Sequence, residues 1–132
     1  MINKPTYYYI VELLNSAGIG TAGVDLFGGE WGNVSEQILV LDGVGTSSDL
    51  VTTYEAPSFQ VLVRGEKHAS DIAVYMKAKQ VSDFILSTIT PIKIDGVCYL
   101  SFEESSNIAA LGKDANERFI YSMNFTTFRN RT

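Results

Sequence analysis

The chain has 132 residues, of which 45% are hydrophobic, with one cysteine, one histidine and a net charge of −5; this length suits one domain with a sizeable core. Because Cys98 is the only cysteine and His68 the only histidine, an internal disulfide framework and a Cys/His metal cluster are excluded. No apolar run approaches the roughly 18 residues of a membrane span. Residues 1–63 hold seven acidic residues against Lys4 alone, so the protein is not expected to grip nucleic acid, although it could still surround DNA.

The N-terminal part predicts a helix followed by glycine-rich loops and a strand. We expect the helix over residues 6–17, because apolar side chains recur there at helical spacing and Gly18 follows as a C-terminal cap. The density of glycine over residues 18–32 indicates loops, with a short strand within residues 24–27. A further strand is expected over residues 37–41.

Two aromatic residues in loops are candidate interface residues. Trp31 lies between Gly29 and Gly32, and a large aromatic side chain in such a loop is either folded onto the core or exposed as an interface anchor. Residues 43–57 are rich in Gly, Ser, Thr and Asp, which predicts a long polar loop or hairpin arm. Because long loops often carry function, Tyr54 in this arm is the second candidate.

The central part predicts a strand followed by a long helix. Alternating apolar residues indicate a half-buried strand over residues 59–64, ending at Gly65. Ser70 is a suitable N-cap for the helix, with Asp71 in its first turn. The apolar stripe of this helix consists of Val74, Ala78, Val81, Ile85 and Ile89. Tyr75, Met76 and Leu86 widen that stripe, which indicates a second packing surface.

The C-terminal part predicts a hairpin and a long strand. Residues 92–102 form the hairpin, since Asp95 and Gly96 readily supply the positive φ angles of a type I′ turn. Residues 103–117 are interpreted as a polar connection, and residues 119–128 as a strand with apolar side chains on both faces. The whole order predicts one α+β domain, in which two helices pack on one face of a mostly antiparallel, mixed sheet.

The patterns that could indicate catalysis have simpler interpretations. Residues 18–23 (GIGTAG) match a dinucleotide fingerprint, but a helix and not a strand precedes them, so no cofactor is predicted. His68 lies between a strand and a helix without a marked nucleophile nearby. A small enzyme that uses His68 is therefore only a thinly supported alternative. The acidic residues of the 103–117 segment are interpreted as solvated loop charges.

Three stretches of the chain carry a recognisable pattern: residues 57–65 (PSFQVLVRG), 94–100 (IDGVCYL) and 111–114 (LGKD), with Arg118 and the Asn124 Phe125 pair downstream. Together they resemble the small tail terminator, or tail completion, proteins of long-tailed bacteriophages, which are often described as minor capsid proteins. The resemblance covers roughly residues 57–126. Segment 18–34 does not fit the family pattern.

The resemblance implies a protein of the virion that catalyses no reaction and needs no cofactor. It implies a ring, commonly a hexamer, that caps the head-proximal end of the tail tube and presents a surface to the head; some relatives are monomers until they reach the tail. The implied partners are other copies of the chain, the tail tube protein and a head completion or connector protein. DNA would pass through the lumen without specific binding. The alternative within phage assembly is a head completion or connector adaptor, which would be more helical.

Electrostatic expectations follow for such a ring. If the acidic N-terminal half contributes to the bore, passing DNA is repelled within a Debye length of about 8 Å. Arg64 and Arg118 both lie at strand ends and are candidates for fixed ion pairs, either with Asp114 or with a neighbouring subunit. The other interpretation is that they only brace the Asp114 loop.

Overall fold

The computed structural model describes residue 2, residues 4–43 and residues 54–130. These residues form helices α1 (Thr6–Ser16) and α2 (Asp71–Ser87) and a seven-stranded sheet, with 24% helix and 43% strand. The strands are β1 (Leu26–Gly28), β2 (Gln37–Asp42), β3 (Tyr54–Glu55), β4 (Ser58–Arg64), β5 (Ile92–Ile94), β6 (Val97–Lys113) and β7 (Phe119–Asn130). The predicted α+β class is confirmed.

The sheet is mixed and mostly antiparallel. Its strand order is β1-β2-β4-β7-β6-β5, and β3 pairs with the C-terminal end of β7. Only the β1–β2 pair is parallel among these ladders. Strand β7 is therefore central, with β4 and β3 along one edge and β6 along the other.

Both helices pack on the same face of the sheet. The apolar stripes of α1 and α2 meet strand residues that are cross-strand neighbours, such as Val61 opposite Met123. The fully or almost fully buried members of this core include Ile10, Leu14, Val40, Phe59, Val61, Ala78, Val81, Ile85, Met123 and Phe125. Burying one Leu, Ile or Phe side chain of this kind contributes about 1.5–3 kcal/mol. This face holds the helices in place.

Helix ends follow local sequence signals. Gly18, with φ of 75°, lies just past the C-terminal end of α1. The Ser70 side chain accepts a hydrogen bond from the backbone N–H of Ala73 and starts α2. Helix α2 ends at Ser87, because Thr88 is extended. The predicted stripe was therefore wrong at Ile89, which lies beyond the helix and is 86% exposed.

The prediction of a polar connection over residues 103–117 was wrong. Strand β6 continues to Lys113, and only residues 114–118 form the turn into β7. The predicted hairpin at Asp95 and Gly96 is present, and both residues have positive φ. The acidic residues Glu103 and Glu104 consequently lie on a strand, although both are exposed. The long β6–β7 ladder has register shifts at four places along β6.

The predicted arm at residues 43–57 falls mainly on residues 44–53, which lie outside the described residues. Its C-terminal end was predicted as loop, but Tyr54–Glu55 forms strand β3 against β7. The short strand expected within residues 24–27 is β1, displaced by one or two residues.

The second face of the sheet bears no helix in the described residues; we call it the open face. Its central members, inferred from strand register, are Leu39, Leu41, Gln60, Leu62, Ser122, Asn124 and Thr126. Leu39 and Ser122 are buried, and the others are partly buried. None of these central side chains is charged, so the open face differs from the mixed-charge outer surface of α2.

Candidate assembly surfaces

Four of the five candidate residues meet at one end of the sheet. Arg64 ends β4, Asp114 and Arg118 flank the β6–β7 turn, and Trp31 lies in the loop before β2. The guanidinium of Arg64 stacks over the Trp31 ring, with 4.2 Å from its central carbon to the ring centroid. We call these four residues the Trp31 cluster.

Arg64 binds backbone carbonyls, and no carboxylate lies within ion-pair distance of it among the described residues. It donates from Nε to the Ser35 carbonyl at 3.0 Å and from Nη2 to the Val34 carbonyl at 2.8 Å. Burial lowers the pKa of Arg64, and the neighbouring Arg118 adds to this effect. Arg64 therefore fixes the loop that carries Trp31 and does not pair with Asp114.

Gln37 holds the same loop from the start of β2. Its buried side chain accepts a hydrogen bond from the Gly32 N–H at 2.8 Å and donates to the carbonyls of Gly32 and Val34. Gly32 is required there, because an added Cβ would lie 2.2 Å from the Phe27 ring. Trp31 therefore lies half-buried in a loop that these hydrogen bonds hold in place. Its exposure is intermediate between the two expected outcomes, burial in the core and exposure as an anchor.

Arg118 and Asp114 form an ion pair within the subunit. Arg118 Nε donates to Asp114 Oδ2 at 2.8 Å, and Asp114 Oδ1 accepts from the backbone N–H groups of Asn116 and Arg118. Burial raises the pKa of Asp114, but the hydrogen bonds from Arg118 and Asn116 outweigh it, so the pKa lies below its usual value. Arg118 Nη1 also reaches Ser35 Oγ at 3.4 Å. The pair braces the turn and links it to the Trp31 loop.

Tyr54 lies apart from this cluster, at the opposite end of the sheet. Its ring packs against Phe128 of β7, with 5.2 Å between ring centroids. Both rings are about two-fifths exposed, at 40% and 41%. This aromatic pair is a second surface, separated from the Trp31 cluster by the length of the central strands.

A buried charged network anchors β3 on the helix side of β7, and the sequence did not reveal it. Arg129 Nε donates to Glu55 Oε1 at 2.7 Å, and Arg129 Nη1 donates to the Tyr99 hydroxyl at 2.7 Å. Burial raises the pKa of Tyr99 to about 12, although Arg129 opposes it. The sequence did contain one signal: extending the apolar alternation of β7 to residue 129 would have placed Arg129 on the buried face of the strand.

The outer side of α2 exposes apolar side chains. Ile72 and Met76, one helical turn apart, are 67% and 64% exposed, and Tyr75 beside them is 39% exposed. The Tyr75 ring packs edge-on against Tyr121, whose hydroxyl donates to Asp71 at 2.5 Å. This arrangement agrees with the wide apolar arc in the sequence.

The described residues form no candidate metal centre. They contain no group of three His, Cys, Asp or Glu side chains that could hold a metal ion, and no described helix is long and apolar enough to cross a membrane. His68 is exposed, and it does not line the adjacent cleft of about 120 Å³ between β4 and α2. Cys98 is half-buried. The glycine fingerprint at residues 18–23 follows helix α1, as its interpretation required.

Comparisons with known proteins give one family and one fold. A family model described as bacteriophage tail terminator protein matches residues 13–130. Among solved structures, a chain from the virion of a native gene transfer agent particle is similar, with a TM-score of 0.59 and 13% identity. That match covers 82% of this chain and 80% of the other, and shows a shared fold. No curated protein sequence is significantly similar to the chain.

Proposed function

The chain belongs to the bacteriophage tail terminator protein family, and from this premise we propose that it forms a ring, commonly a hexamer, that caps the head-proximal end of a tail tube. Proteins of this family are structural components of the virion and not enzymes, so the alternative of a small enzyme using His68 is wrong. The ring stops tube polymerisation and offers a surface to the head.

A capping ring needs two different axial surfaces, because one must accept the tube and the other must not continue it. The observation that carries the proposal is the presence of two distinct aromatic sites at opposite ends of the same strands. Strand β7 joins them, since Ile120 pairs with Arg64 near Trp31 and Asn130 pairs with Tyr54. Aromatic and arginine side chains are enriched in protein interfaces, which supports docking at both ends.

Ring closure requires a head-to-tail contact, in which one patch on a subunit meets a different patch on its neighbour. The exposed apolar side chains of α2 and the uncharged centre of the open face lie on opposite sides of the subunit. A contact of Ile72 and Met76 with the open face of the next copy would repeat in one rotational sense. This geometry supports a closed ring over a symmetric pair.

The proposed bore is lined by the acidic loop side of the subunit. Asp25, Glu30 and Glu36, in the loops that flank β1, are exposed, and no basic residue occurs between positions 18 and 43. Six copies of such a surface would repel DNA phosphates within about 8 Å and let DNA pass without binding. We expect E30K/E36K, with neither side chain in a described ion pair, to retard DNA on gels where the wild type does not.

The test of the axial surfaces uses purified tail tubes and tail-less heads, with binding scored by electron microscopy. W31A and Y54A are compared with K93E, a control change of an exposed lysine on β5. We expect each aromatic variant to lose one of the two activities, tube capping or head joining, and to keep the other. Far-UV circular dichroism must show intact folding. A folded W31A or Y54A that keeps both activities refutes the role of that end.

The remaining alternative, a head completion or connector adaptor, would join heads without limiting tube length. Such adaptors are expected to be more helical, whereas the described residues contain more strand than helix. Tube length separates the two functions. Tubes grown with the wild-type protein should stop at one length, and tubes of unlimited length that still join heads would favour the adaptor.

A further inference from the structure

One edge of the sheet has no partner along most of its length in the described chain. Strand β5 pairs with β6 only from Val97 to Tyr99, while β7 pairs with β6 along its other edge as far as Lys113. No strand of the described residues therefore pairs with the outer edge of residues 101–113. Such an edge presents backbone N–H and C=O groups that can pair with another strand.

The sequence of this edge lacks the usual side-chain protection against pairing. Natural edge strands are commonly blocked by lysine, proline, inward charges or β-bulges. Residues 105–112 (SSNIAALG) contain no charge and no proline. Charges occur only at the two limits of this stretch, with Glu103 and Glu104 at one end and Lys113 at the other. The protection that this edge does have lies in its backbone, because β6 shifts register against β7 at three places between Glu104 and Gly112.

The end charges are complementary to those of a second copy of the same strand. In an antiparallel pair with its two-fold axis at Ala109, whose partner Ser122 lies midway between Phe119 and Phe125 on β7, Glu104 of each copy lies opposite Lys113 of the other. Their cross-strand partners Phe125 and Phe119 both pack into the helix-side core, so Glu104 and Lys113 point to the same face. We propose that two copies of this chain associate through their β6 edges, with reciprocal Glu104–Lys113 ion pairs.

The surroundings of the edge suit this occupant. A groove of about 270 Å³ between α2 and β6 is lined by Tyr75, Leu86 and Ile108, among others. A second strand would cover Ile108 and the 56% exposed Leu111. Lys79 also lines the groove, and Glu104 helps to raise its pKa, but the ion pair of Lys79 is with Asp83 at 2.7 Å, so no ion pair among the described residues holds Glu104.

This contact is independent of the ring contacts. It is symmetric, whereas ring closure uses two different patches, and it lies on neither the Trp31 cluster nor the Tyr54–Phe128 pair. The symmetric dimer is the state of the free protein before assembly, in which each copy covers the reactive edge of the other. The inference goes beyond the proposed function and can fail without it.

The test measures self-association of the full chain by analytical ultracentrifugation, with each variant checked by far-UV circular dichroism. Two symmetric ion pairs become two like-charge pairs in K113E, so we expect the dimer Kd to rise about tenfold or more. The double variant E104K/K113E restores opposite charges across the axis and should return the Kd to within about threefold of the wild type. K93E, an equal charge change outside the edge, should leave the Kd unchanged.

Amide hydrogen exchange gives a second readout. Residues 105–112 should gain protection with increasing protein concentration in the wild type and not in K113E. The inference is overturned if the wild type is a monomer at all concentrations, if K93E weakens association as much as K113E, or if E104K/K113E fails to restore it. A tube-capping assay of K113E separates this inference from the proposed function. If K113E caps tubes but does not form dimers, the ring does not need the β6 contact, and that contact is a feature of the free protein.

Discussion

Removing Glu55 should destabilise the protein far more than removing the acid of an exposed ion pair with the same geometry. The Arg129–Glu55 and Lys79–Asp83 pairs both have an N–O distance of 2.7 Å. Their side chains differ in exposure, at 7% and 19% for the first pair and 53% and 59% for the second. Since E55A leaves a buried arginine without its carboxylate, we expect a loss of about 3 kcal/mol in the free energy of unfolding.

The measurement is urea unfolding followed by circular dichroism, with D83A as the matched control. For a domain of this size, a loss of about 3 kcal/mol corresponds to about 10 °C in Tm, whereas D83A should show no resolvable loss. R129M added to E55A should cost much less than R129M alone, because the unpaired charge is already present. The reasoning fails if E55A and D83A lose similar amounts, or if the E55A and R129M effects simply add.

Three further predictions concern pH and backbone space. The pKa of Tyr99 is raised to about 12, so the stability that its neutral hydroxyl contributes is present below the usual pKa of about 10 and is lost between about pH 10 and 12. Unfolding titrations should show this loss, of up to about 3 kcal/mol in the free energy of unfolding, in the wild type and not in Y99F. The pKa of Asp114 is lowered, so its ionised carboxylate stabilises the fold above the usual pKa of an aspartate, and this stabilisation is lost as the pH falls below that value. D114N should therefore flatten the fall in the unfolding midpoint below about pH 4. G32A should lower the free energy of unfolding by about 1–3 kcal/mol, because the added Cβ would meet the Phe27 ring. Gly18 has positive φ but open space around it, so G18A should lower the free energy of unfolding by only about 1 kcal/mol in the same urea assay.

The elements that the sequence predicted well have strong local signals. Ser70 starts α2 by capping it, Gly18 follows α1, and the Asp95 Gly96 turn forms because both residues adopt positive φ at low cost. These structures depend on a few neighbouring residues, so a single sequence contains the information. The shared face of both helices followed from the order of the predicted elements.

The part of β6 beyond residue 102 could not be predicted from its own residues, because its conformation depends on pairing with β7. Residues 103–113 show no alternation, and most of their side chains are exposed. Their strand conformation is imposed by backbone hydrogen bonds to β7, which is itself strongly alternating. The length of β7 was the available clue, since a strand that long needs a neighbour of similar length.

The contacts among the candidate interface residues were predicted only in part. Arg118 and Asp114 pair as one of the expectations had it. Arg64 instead binds the carbonyls of the Trp31 loop, because the loop turns back over the end of β4. Interface roles for Trp31 and Tyr54 stay predictions. The Arg129 network was missed because its partners are separated by 30 and 74 positions.

The pairing of β7 at both ends makes the sheet a spacer of fixed thickness. Ile120 lies opposite Arg64 and Asn130 lies opposite Tyr54, and the ten-residue interval spans about 33 Å at roughly 3.3 Å per residue. A hydrogen-bonded sheet compresses very little, so in the proposed ring the gap between tube and head is set by strand length. Inserting two residues into β4 and β7 would widen that gap by about 7 Å and leave both docking ends chemically unchanged.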